Sequence, residues 1–267
     1  RAIAAFLDRE TAKIDALIEK KKSIHNLYDE RYMQSVSSIV FGGLSDLSGS
    51  SSDKSDWYRV PSYEHESPKI GQLLYRPMAY GILKPEWTDN HGVPVVRITD
   101  VTASALDRNV LRRVPAQQSI EYDRTVINEG DLIVSVVGTL GSAAVVDDQL
   151  AGANLTRALA RLAISDREIS AWVRAFFETP EFQHFLDLVP TGTAQRVLNL
   201  EDLRNVRIPL PTSREQLRER LGELASEKKK RGALTSLLTT QIQRLREYRT
   251  ALISAAVTGQ IDVRGRV

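Results

Sequence analysis

The chain has 267 residues, of which 42% are hydrophobic and 26% charged, and its formal net charge is +2. These values are close to the average of globular proteins, and the length allows one large domain or two smaller ones. The absence of cysteine excludes disulfides and thiolate metal sites and is compatible with the reducing cytoplasm. We find no signal peptide and no run of about 18 apolar residues, so we expect no membrane-spanning segment. Because the sequence opens on Arg1, inside a predicted helix and without Met, we expect a fragment of a longer chain.

Charge is unevenly distributed along the chain. Residues 213–267 hold 12 Lys and Arg against 6 Asp and Glu, whereas residues 46–212 hold 17 against 22. A nucleic-acid-binding domain presents a basic face. The acidic balance of the central region therefore counts against nucleic-acid binding there, unless its basic side chains cluster on one face.

The first 41 residues predict one long helix. Apolar side chains recur at alternating spacings of three and four, which predicts a seam that packs on a partner helix. The apolar seam residues are Ile3, Leu7, Ile14, Leu17, Ile24 and Tyr28, and Glu10, Lys21 and Arg31 fill the remaining positions of the same stripe. Gly42-Gly43 ends the helix, and the polar stretch Ser45–Ser55 is typical of a linker.

The region from Trp57 to Pro211 has the texture of strands joined by turns. Short apolar runs predict strands at Pro94–Thr99, Thr125–Ile127, Asp131–Val137, Ser142–Val146 and Ala158–Ile164. Helical spacing of aromatic residues predicts one or two helices within Ser165–Pro190, interrupted at Pro180, whose aromatic side chains belong to the core. Leu200–Val206 predicts a short helix or turn, and Ile208–Pro211 an extended exit.

A second long helix is predicted over residues 213–258, with Ser213 as N-cap and Gln216 completing a capping box. Its seam is Leu234, Leu238, Gln241, Leu245, Tyr248, Leu252 and Ala255. The pattern Ile-x-x-Leu-x-acid-x-Arg begins at Ile24 and again at Ile242, an offset of 218 residues, so we interpret the two helices as copies of one unit. The chain is predicted to be an α+β protein: a mixed α/β domain (45–212) flanked by two long helices (1–44 and 213–267) that form an antiparallel coiled coil.

Catalytic motifs are missing from the sequence. The four histidines lie far apart and form no metal-binding pair, and there is no Gly-x-Ser-x-Gly, Walker A, methyltransferase or nuclease motif. Gly138–Gly141 follows a predicted strand but lacks the glycine spacing and the Lys-Ser/Thr of a phosphate loop. We expect a chain that catalyses nothing.

Several segments, in order, resemble the specificity (S) subunit of type I restriction–modification systems. Ala5–Ile18 is similar to the start of the family's central spacer helix, Ile208–Pro211 with Glu215-Gln216 to its exit from a target-recognition domain, and Leu245–Val263 to the end of its closing helix. Between them come the shorter motifs Tyr80-Gly81, Gly92–Arg97, Gly130–Ile133, Gly138–Gly141 and Asn154. Each piece is unspecific alone, and the ordered set carries the resemblance.

The resemblance implies a division of labour. A whole S subunit has two recognition domains separated by two antiparallel helices, and each domain reads one half of a split double-stranded DNA target. The helices set the spacing and dock methyltransferase (M) subunits, which bind S-adenosylmethionine, while restriction (R) subunits use ATP and Mg²⁺. The chain itself would bind none of these cofactors. With a single recognition domain it looks like the second half of a subunit, either part of a longer chain or a natural half-subunit that forms a homodimer in the cytoplasm.

Candidate DNA-binding side chains are polar, lie in predicted loops and stand close to glycine, because Arg reads guanine, Asn and Gln read adenine, and hydroxyls and cations hold phosphates. They are Tyr80, Lys84, Arg97, Thr139, Asn154, Arg157, Thr193, Gln195 and Arg196. The loop from Thr191 to Arg196 either contacts DNA or is a plain surface loop with no partner. Arg97 either contacts DNA or forms a structural salt bridge. Arg112-Arg113 either hold phosphates or are only solvated.

Two other functions stay open at this point. A helical protein-interaction scaffold would suit the acidic central region. The recognition end of a single-chain restriction–methyltransferase would account for the domain, although its closing helix would not be expected to duplicate the first.

Overall fold

A computed structural model describes residues 2–42, 67–89, 91–101, 107–188 and 196–263. The chain divides into two compact units, Arg1–Ser35 with Ala225–Val267 and Val36–Leu224. The predicted linker Ser45–Ser55 lies outside the described residues. The division into segments 1–44, 45–212 and 213–267 stays a prediction about domains.

The first unit is a pair of long helices. Helix α1 runs Ala2–Phe41 and helix α7 runs Arg214–Val257, and the parts of both that lie in this unit pack against each other. Three polar contacts fix the direction: Asp15 with Arg249 (2.9 Å), Lys21 with Gln241 (2.6 Å) and Asp29 with Arg231 (2.8 Å). Partner numbers fall as α1 numbers rise, so the helices are antiparallel, and the predicted helical pair is confirmed.

The seam of α1 differs in part from the prediction. Ile14 is buried and Leu7 and Tyr28 are partly buried, as predicted. The other buried seam residues are Phe6, Ile18 and Tyr32, while Ile3, Leu17 and Ile24 are 41–48% exposed. On α7 the predicted seam is covered except for Tyr248, which is 59% exposed. The apolar residues of α1 form two neighbouring stripes, and α7 covers only one of them.

The second unit contains two small sheets. Four strands pair in the order β1-β7-β4-β5, all antiparallel: β1 Arg76–Tyr80, β4 Leu132–Ser135, β5 Ala143–Val145 and β7 Leu159–Ala163. Three shorter strands pair in the order β3-β2-β6: β2 Val93–Val96, β3 Arg113–Val114 and β6 Asn154–Leu155. Strands β4 and β7 are central and fully buried, and their apolar runs made them predictable.

Three strand predictions need correction. The predicted strand Pro94–Thr99 ends at Val96, and helix α2 (Ile98–Val101) follows it, because the Arg97 amide and guanidinium both bind Asp100 and start a turn. Thr125–Ile127 forms no strand, since a short 3₁₀ helix occupies residues 123–125. Strand β1 was missed because it is a largely exposed edge strand that contains Pro77, and proline is tolerated at a sheet edge.

The described part of this unit also contains five shorter α-helices: α2, α3 (Ala116–Glu121), α4 (Arg167–Phe177), α5 (Pro180–Leu188) and α6 (Leu200–Asn205). Asp166 caps α4 by accepting from the amides of Glu168 and Ile169. Of the one or two helices predicted here, interrupted at Pro180, the structure contains two, and the predicted core position of their aromatics is confirmed. Trp172 is fully buried and its indole N–H donates to Pro209 O at 2.6 Å, which ties α4 to the exit segment.

Candidate nucleic-acid interface

One end of the four-stranded sheet gathers several predicted site residues. Tyr80 at the end of β1 lies opposite Ala160, and Ser135 at the end of β4 lies opposite Leu159. Antiparallel pairing therefore brings together the segment after β1, the segment before β7 and the turn after β4. Tyr80, Arg157 and Thr139 are exposed at this end. The topology thus assembles residues that are up to 77 positions apart in sequence.

The turn after β4 is rigidly held although its tip is exposed. Ser135 binds it three times: its hydroxyl donates to Thr139 O, the same hydroxyl accepts from Ser142 N at 2.9 Å, and its carbonyl accepts from Gly141 N at 3.0 Å. Gly141 has φ 78°, and a Cβ there would stand 2.4 Å from a methyl of Leu186 on α5. Only glycine fits this position. The Thr139 hydroxyl is therefore presented on a fixed turn.

A second fixed turn follows β1. At Gly81 an added Cβ would stand 2.2 Å from Leu155 O, and this close approach allows Ile82 N to donate to Leu155 O at 2.7 Å. On the far side, the Gln118 side chain binds the backbone at two points. Its Nε2 donates to Lys84 O at 3.0 Å, and its Oε1 accepts from Glu86 N at 2.9 Å. The exposed Lys84 therefore stands on a turn held from both sides.

Four cations gather around residues 82–89, and we call Lys84, Arg112, Arg113 and Arg157 the basic face. Arg157 N donates to Ile82 O at 3.0 Å. The Arg112 guanidinium lies 4.2 Å from the centre of the Trp87 ring, and Arg113 pairs with Thr88 through the backbone and donates to Gly92 O. Within the described parts of the chain, none of the four has a carboxylate within salt-bridge distance. Glu86 and Asp89 are exposed on the same segment, which leaves an excess of positive charge.

Eight other arginines of this unit are neutralised locally, whereas Arg76, Arg108, Arg124, Arg207 and Arg220 form no salt bridge with a described carboxylate. Each of the following forms an ion pair with a carboxylate: Arg97, Arg161, Arg167, Arg174, Arg196, Arg204, Arg214 and Arg218. Arg161 is the extreme case, since it is 2% exposed and its Nε lies 2.6 Å from Asp131, which is 1% exposed. Many of the carboxylates counted in the acidic balance are thus occupied by arginines elsewhere than on the basic face.

The structure corrects the prediction that Asn154 binds DNA. Its side chain is fully buried, with Oδ1 accepting from Thr125 Oγ1 (2.6 Å) and Leu155 N (2.8 Å), and Nδ2 donating to Ser119 Oγ (3.1 Å) and Tyr122 O (3.2 Å). An amide with no exposed surface and this set of partners cannot also meet an adenine edge. Asn154 joins β6 to α3 and the following turn, and we withdraw it as a base-reading residue.

Two predicted arginines are engaged within the protein. The Arg97 side chain is partly exposed and binds both carboxylate oxygens of Asp100, at 2.9 and 3.1 Å, and this partner raises the pKa of the guanidinium against the opposing effect of burial. The salt-bridge alternative for Arg97 is therefore the one the structure contains. Arg196 donates to Leu186 O and to Asp187 at 3.0 Å, and its carbonyl accepts from Gly138 N. It lies beside the Thr139 turn. Thr193 and Gln195 lie outside the described residues.

The sequence did not predict the residues that hold other residues of the site in place. Gln118 and Trp87 carry no motif, and their roles follow only from the fold, which places α3 and β3 beside the turn after β1. The doublet Arg112-Arg113 is visible in the sequence. That neither arginine has a carboxylate partner among the described residues is visible only in the structure.

Neither a metal cluster nor a membrane span is found in the described residues. No group of three or more His, Asp or Glu side chains there could hold a metal ion. None of the helices described is long and apolar enough to cross a membrane.

Comparison with known proteins gives a consistent set of relatives, although no family model matches the sequence. The chain is 27% identical over 224 residues to the specificity subunit of the type I restriction enzyme EcoBI from Escherichia coli, an alignment that covers 81% of this chain and 47% of that protein. Its fold is similar to the HsdS subunit of Thermoanaerobacter tengcongensis (TM-score 0.56, 19% identity, 95% of this chain and 58% of that one). It is equally similar to a chain solved in a study of assembly and conformational transition of the type I R-M system (TM-score 0.56, 19% identity, 94% and 58%). The chain thus spans about half the length of the curated relative.

Proposed function

We propose that this chain, whose predicted resemblance to a type I restriction–modification specificity subunit is confirmed over about half of such a subunit, reads one half of a split double-stranded DNA target. The observation that carries the proposal is the basic face, four cations around the rigid turn after β1 that have no carboxylate partner among the described residues. Phosphate contacts supply affinity and register, and base contacts supply the sequence preference.

The contribution of phosphate contacts to the DNA affinity follows from the number of cations. If Lys84, Arg112, Arg113 and Arg157 each neutralise one phosphate, the slope of log affinity against log salt is about −3.6, and affinity falls roughly 100-fold between 50 and 200 mM salt. The net charge of −5 over residues 46–212 opposes this attraction only through the acidic residues near the basic face, because charges farther away than about 10 Å are screened at 0.1 M salt.

Base reading is assigned to side chains that border the basic face. Tyr80 (41% exposed) and Thr139 stand at the sheet end, and Tyr80 Oη accepts weakly from Leu200 N at 3.4 Å. A hydroxyl can donate to or accept from a base edge. Rigid turns lower the ordering cost of such contacts, because little conformational freedom is lost on binding. Arg196, Thr193 and Gln195 stay candidates as predicted.

A binding assay with matched charge variants tests the proposal. Target sequences are first selected from a random duplex pool, and affinity is then measured at several salt concentrations. Lys84→Gln and Arg157→Gln should each reduce the salt slope by about 0.9 and weaken binding to all sequences alike. Arg167→Gln is the control, since Arg167 is also exposed but pairs with Glu129. An affinity that stayed flat with salt, or equal losses in the control, would overturn the proposal.

We further propose that the helical unit docks methyltransferase subunits. The stripe that α7 leaves uncovered, Ile3, Leu17, Ile24 and Leu27, is 41–65% exposed and continues along α1. Exposed apolar stripes on helices mark helix-packing surfaces. Leu17→Lys and Ile24→Lys should abolish copurification with an M subunit, and Ser23→Lys, an exposed neighbour, should not. A homodimer of half-subunits would show instead as a doubled mass of the isolated chain, lost in the same variants.

Catalysis and cofactors belong to the partners in this proposal. S-adenosylmethionine, ATP and Mg²⁺ would be bound by M and R subunits, and this chain would supply only recognition in the cytoplasm. The exposed stripe also favours a second candidate, a non-catalytic protein-interaction scaffold. In that case, partner capture would depend on Leu17 and Ile24 while DNA binding would be absent at any salt concentration.

A further inference from the structure

Leu83 stands out among the exposed apolar side chains of the second unit. It is 53% exposed, next to the fully buried Ile82, and it is flanked by Lys84. Arg157 reaches the same turn through its amide bond to Ile82 O. An exposed apolar side chain thus stands on a turn that carries Lys84 and is bonded through the backbone to Arg157. Single exposed apolar residues are common on proteins, so exposure alone assigns nothing.

The turn that carries Leu83 is fixed rather than loose. Ile82 is held by backbone bonds to Leu155 and Arg157, and Lys84 and Glu86 are held by the two bonds from Gln118. The backbone on both sides of Leu83 is therefore anchored to β6 and α3. Leu83 remains exposed although its neighbours are pinned, so its outward position is a property of the fold.

The surroundings of Leu83 select the kind of partner. A protein interface buries an apolar core of several side chains, with the charges at its rim. Here one exposed leucine stands beside Lys84, on the segment that also carries Trp87 with Arg112 over its ring. Duplex DNA offers the matching combination, since phosphates line the groove and the 5-methyl group of thymine is the one apolar feature of the base edges in the major groove.

We propose that Leu83 is a specificity-determining residue that contacts the 5-methyl group of a thymine in the target, with Gln118 as the positioning residue for its turn. The proposal rests on the proposed DNA-reading function. Lys84 and Arg157 hold the flanking phosphates and set the depth at which Leu83 meets the base. The contact contains no hydrogen bond and discriminates thymine from other bases by the methyl group alone.

The experiment replaces thymines by deoxyuridine in the selected target, one position at a time, and thereby removes single methyl groups. We expect one position at which the wild-type affinity falls about fourfold, the effect of one buried methyl group. Leu83→Ala should bind the thymine and uracil duplexes equally. Ile120→Ala, which truncates another exposed apolar residue of this unit, is the control and should keep the fourfold difference.

Gln118→Ala gives a second readout. Because the turn loosens, affinity should fall for thymine and uracil duplexes together, and the ratio between them should shrink. Thermal unfolding of each variant checks that the fold is intact.

The proposal is overturned if no thymine position is sensitive to loss of its methyl group, or if Leu83→Ala keeps the discrimination of the wild-type chain. It is also overturned if Leu83→Ala weakens both duplexes equally while a fluorescent base analogue reports lost unstacking, which would make Leu83 a wedge between base pairs. Failure of the DNA-reading function itself would look different, since the wild-type chain would select no sequence from the pool.

Discussion

Replacing Asn154 separates a structural residue from a base-reading one. Its amide takes part in five hydrogen bonds, of which those accepted from Thr125 Oγ1 (2.6 Å) and Leu155 N (2.8 Å) are short. A net hydrogen bond contributes about 1 kcal/mol, and each buried group left without a partner costs about 1–3 kcal/mol. Asn154→Ala should therefore lower the free energy of unfolding by about 3–4 kcal/mol. Asn154→Asp, which keeps the size but turns two donors into acceptors facing Ser119 and Tyr122, should cost at least as much.

Urea unfolding followed by circular dichroism measures this loss, and DNA affinity is measured under conditions where the variant is still folded. The matched variant is Thr139→Ala, which changes an exposed side chain and should alter stability by less than about 0.5 kcal/mol. The two variants should behave in opposite ways: Asn154→Ala loses stability and keeps DNA affinity, and Thr139→Ala keeps stability and loses affinity. The reasoning is refuted if Asn154→Ala is as stable as the wild-type chain and binds DNA more weakly.

Three further changes test the packing around the site. Asp131→Ala leaves the buried Arg161 without its partner and should cost about 3–5 kcal/mol in chemical denaturation, while adding Arg161→Met should restore part of the loss. The hydrogen bond from Arg214 holds the pKa of Asp166 below its ordinary value against the opposing effect of burial, aided by backbone amides of α4. Its stabilising contribution is then complete above about pH 4 and lost as pH falls through the lowered pKa, so Asp166→Asn, which can still cap α4, should unfold with a weaker pH dependence between pH 2 and 5. Ser135→Ala should leave the sheet intact but weaken DNA binding, because the Thr139 turn loses two hydrogen bonds; unchanged affinity would show that the turn needs no such fixing.

Local pattern was enough to find the long helices and the central strands. The helix limits Ala2–Phe41 and Arg214–Val257 lie within one residue of the predicted ends, since capping by Ser213 and the periodic apolar residues act over a few neighbours. The buried stripe of α1 was only half predicted. Ile3, Leu17 and Ile24 follow the same spacing as Leu7, Ile14 and Tyr28, and only the position of α7 decides which stripe is covered. Sequence periodicity shows that a helix has apolar faces, but tertiary contacts determine which of two such faces is buried.

The candidate site shows the same limit for polar residues. Asn154 and Thr139 both lie near glycines in predicted turns, and nothing in their neighbours tells that one is fully buried and the other exposed. Burial of Asn154 depends on α3 and Thr125, which lie 29 or more residues earlier in the chain. The clamp by Gln118 spans 32 to 34 residues and has no signature in sequence. Residue type and local turn chemistry thus suggest candidates, and long-range contacts decide among them.

Net charge is a poor guide to a binding face for a related reason. The acidic balance of residues 46–212 gives equal weight to Arg161, which is paired with Asp131, and to Arg112, which stacks on Trp87 and has no carboxylate partner among the described residues. A phosphate responds to the cations within about a Debye length, and there only those without a carboxylate partner attract it strongly. Eight arginines of the unit pair with acids, whereas Lys84, Arg112, Arg113 and Arg157 stand around one turn without a carboxylate partner among the described residues, so an acidic sequence can still present a local group of unpaired cations. Conversion of the control residue's partner, Glu129→Gln, should therefore free Arg167 and raise only nonspecific DNA affinity, because an added cation attracts phosphates of any sequence and supplies no base contact. A gain confined to the selected target would contradict this account of how the charge is arranged.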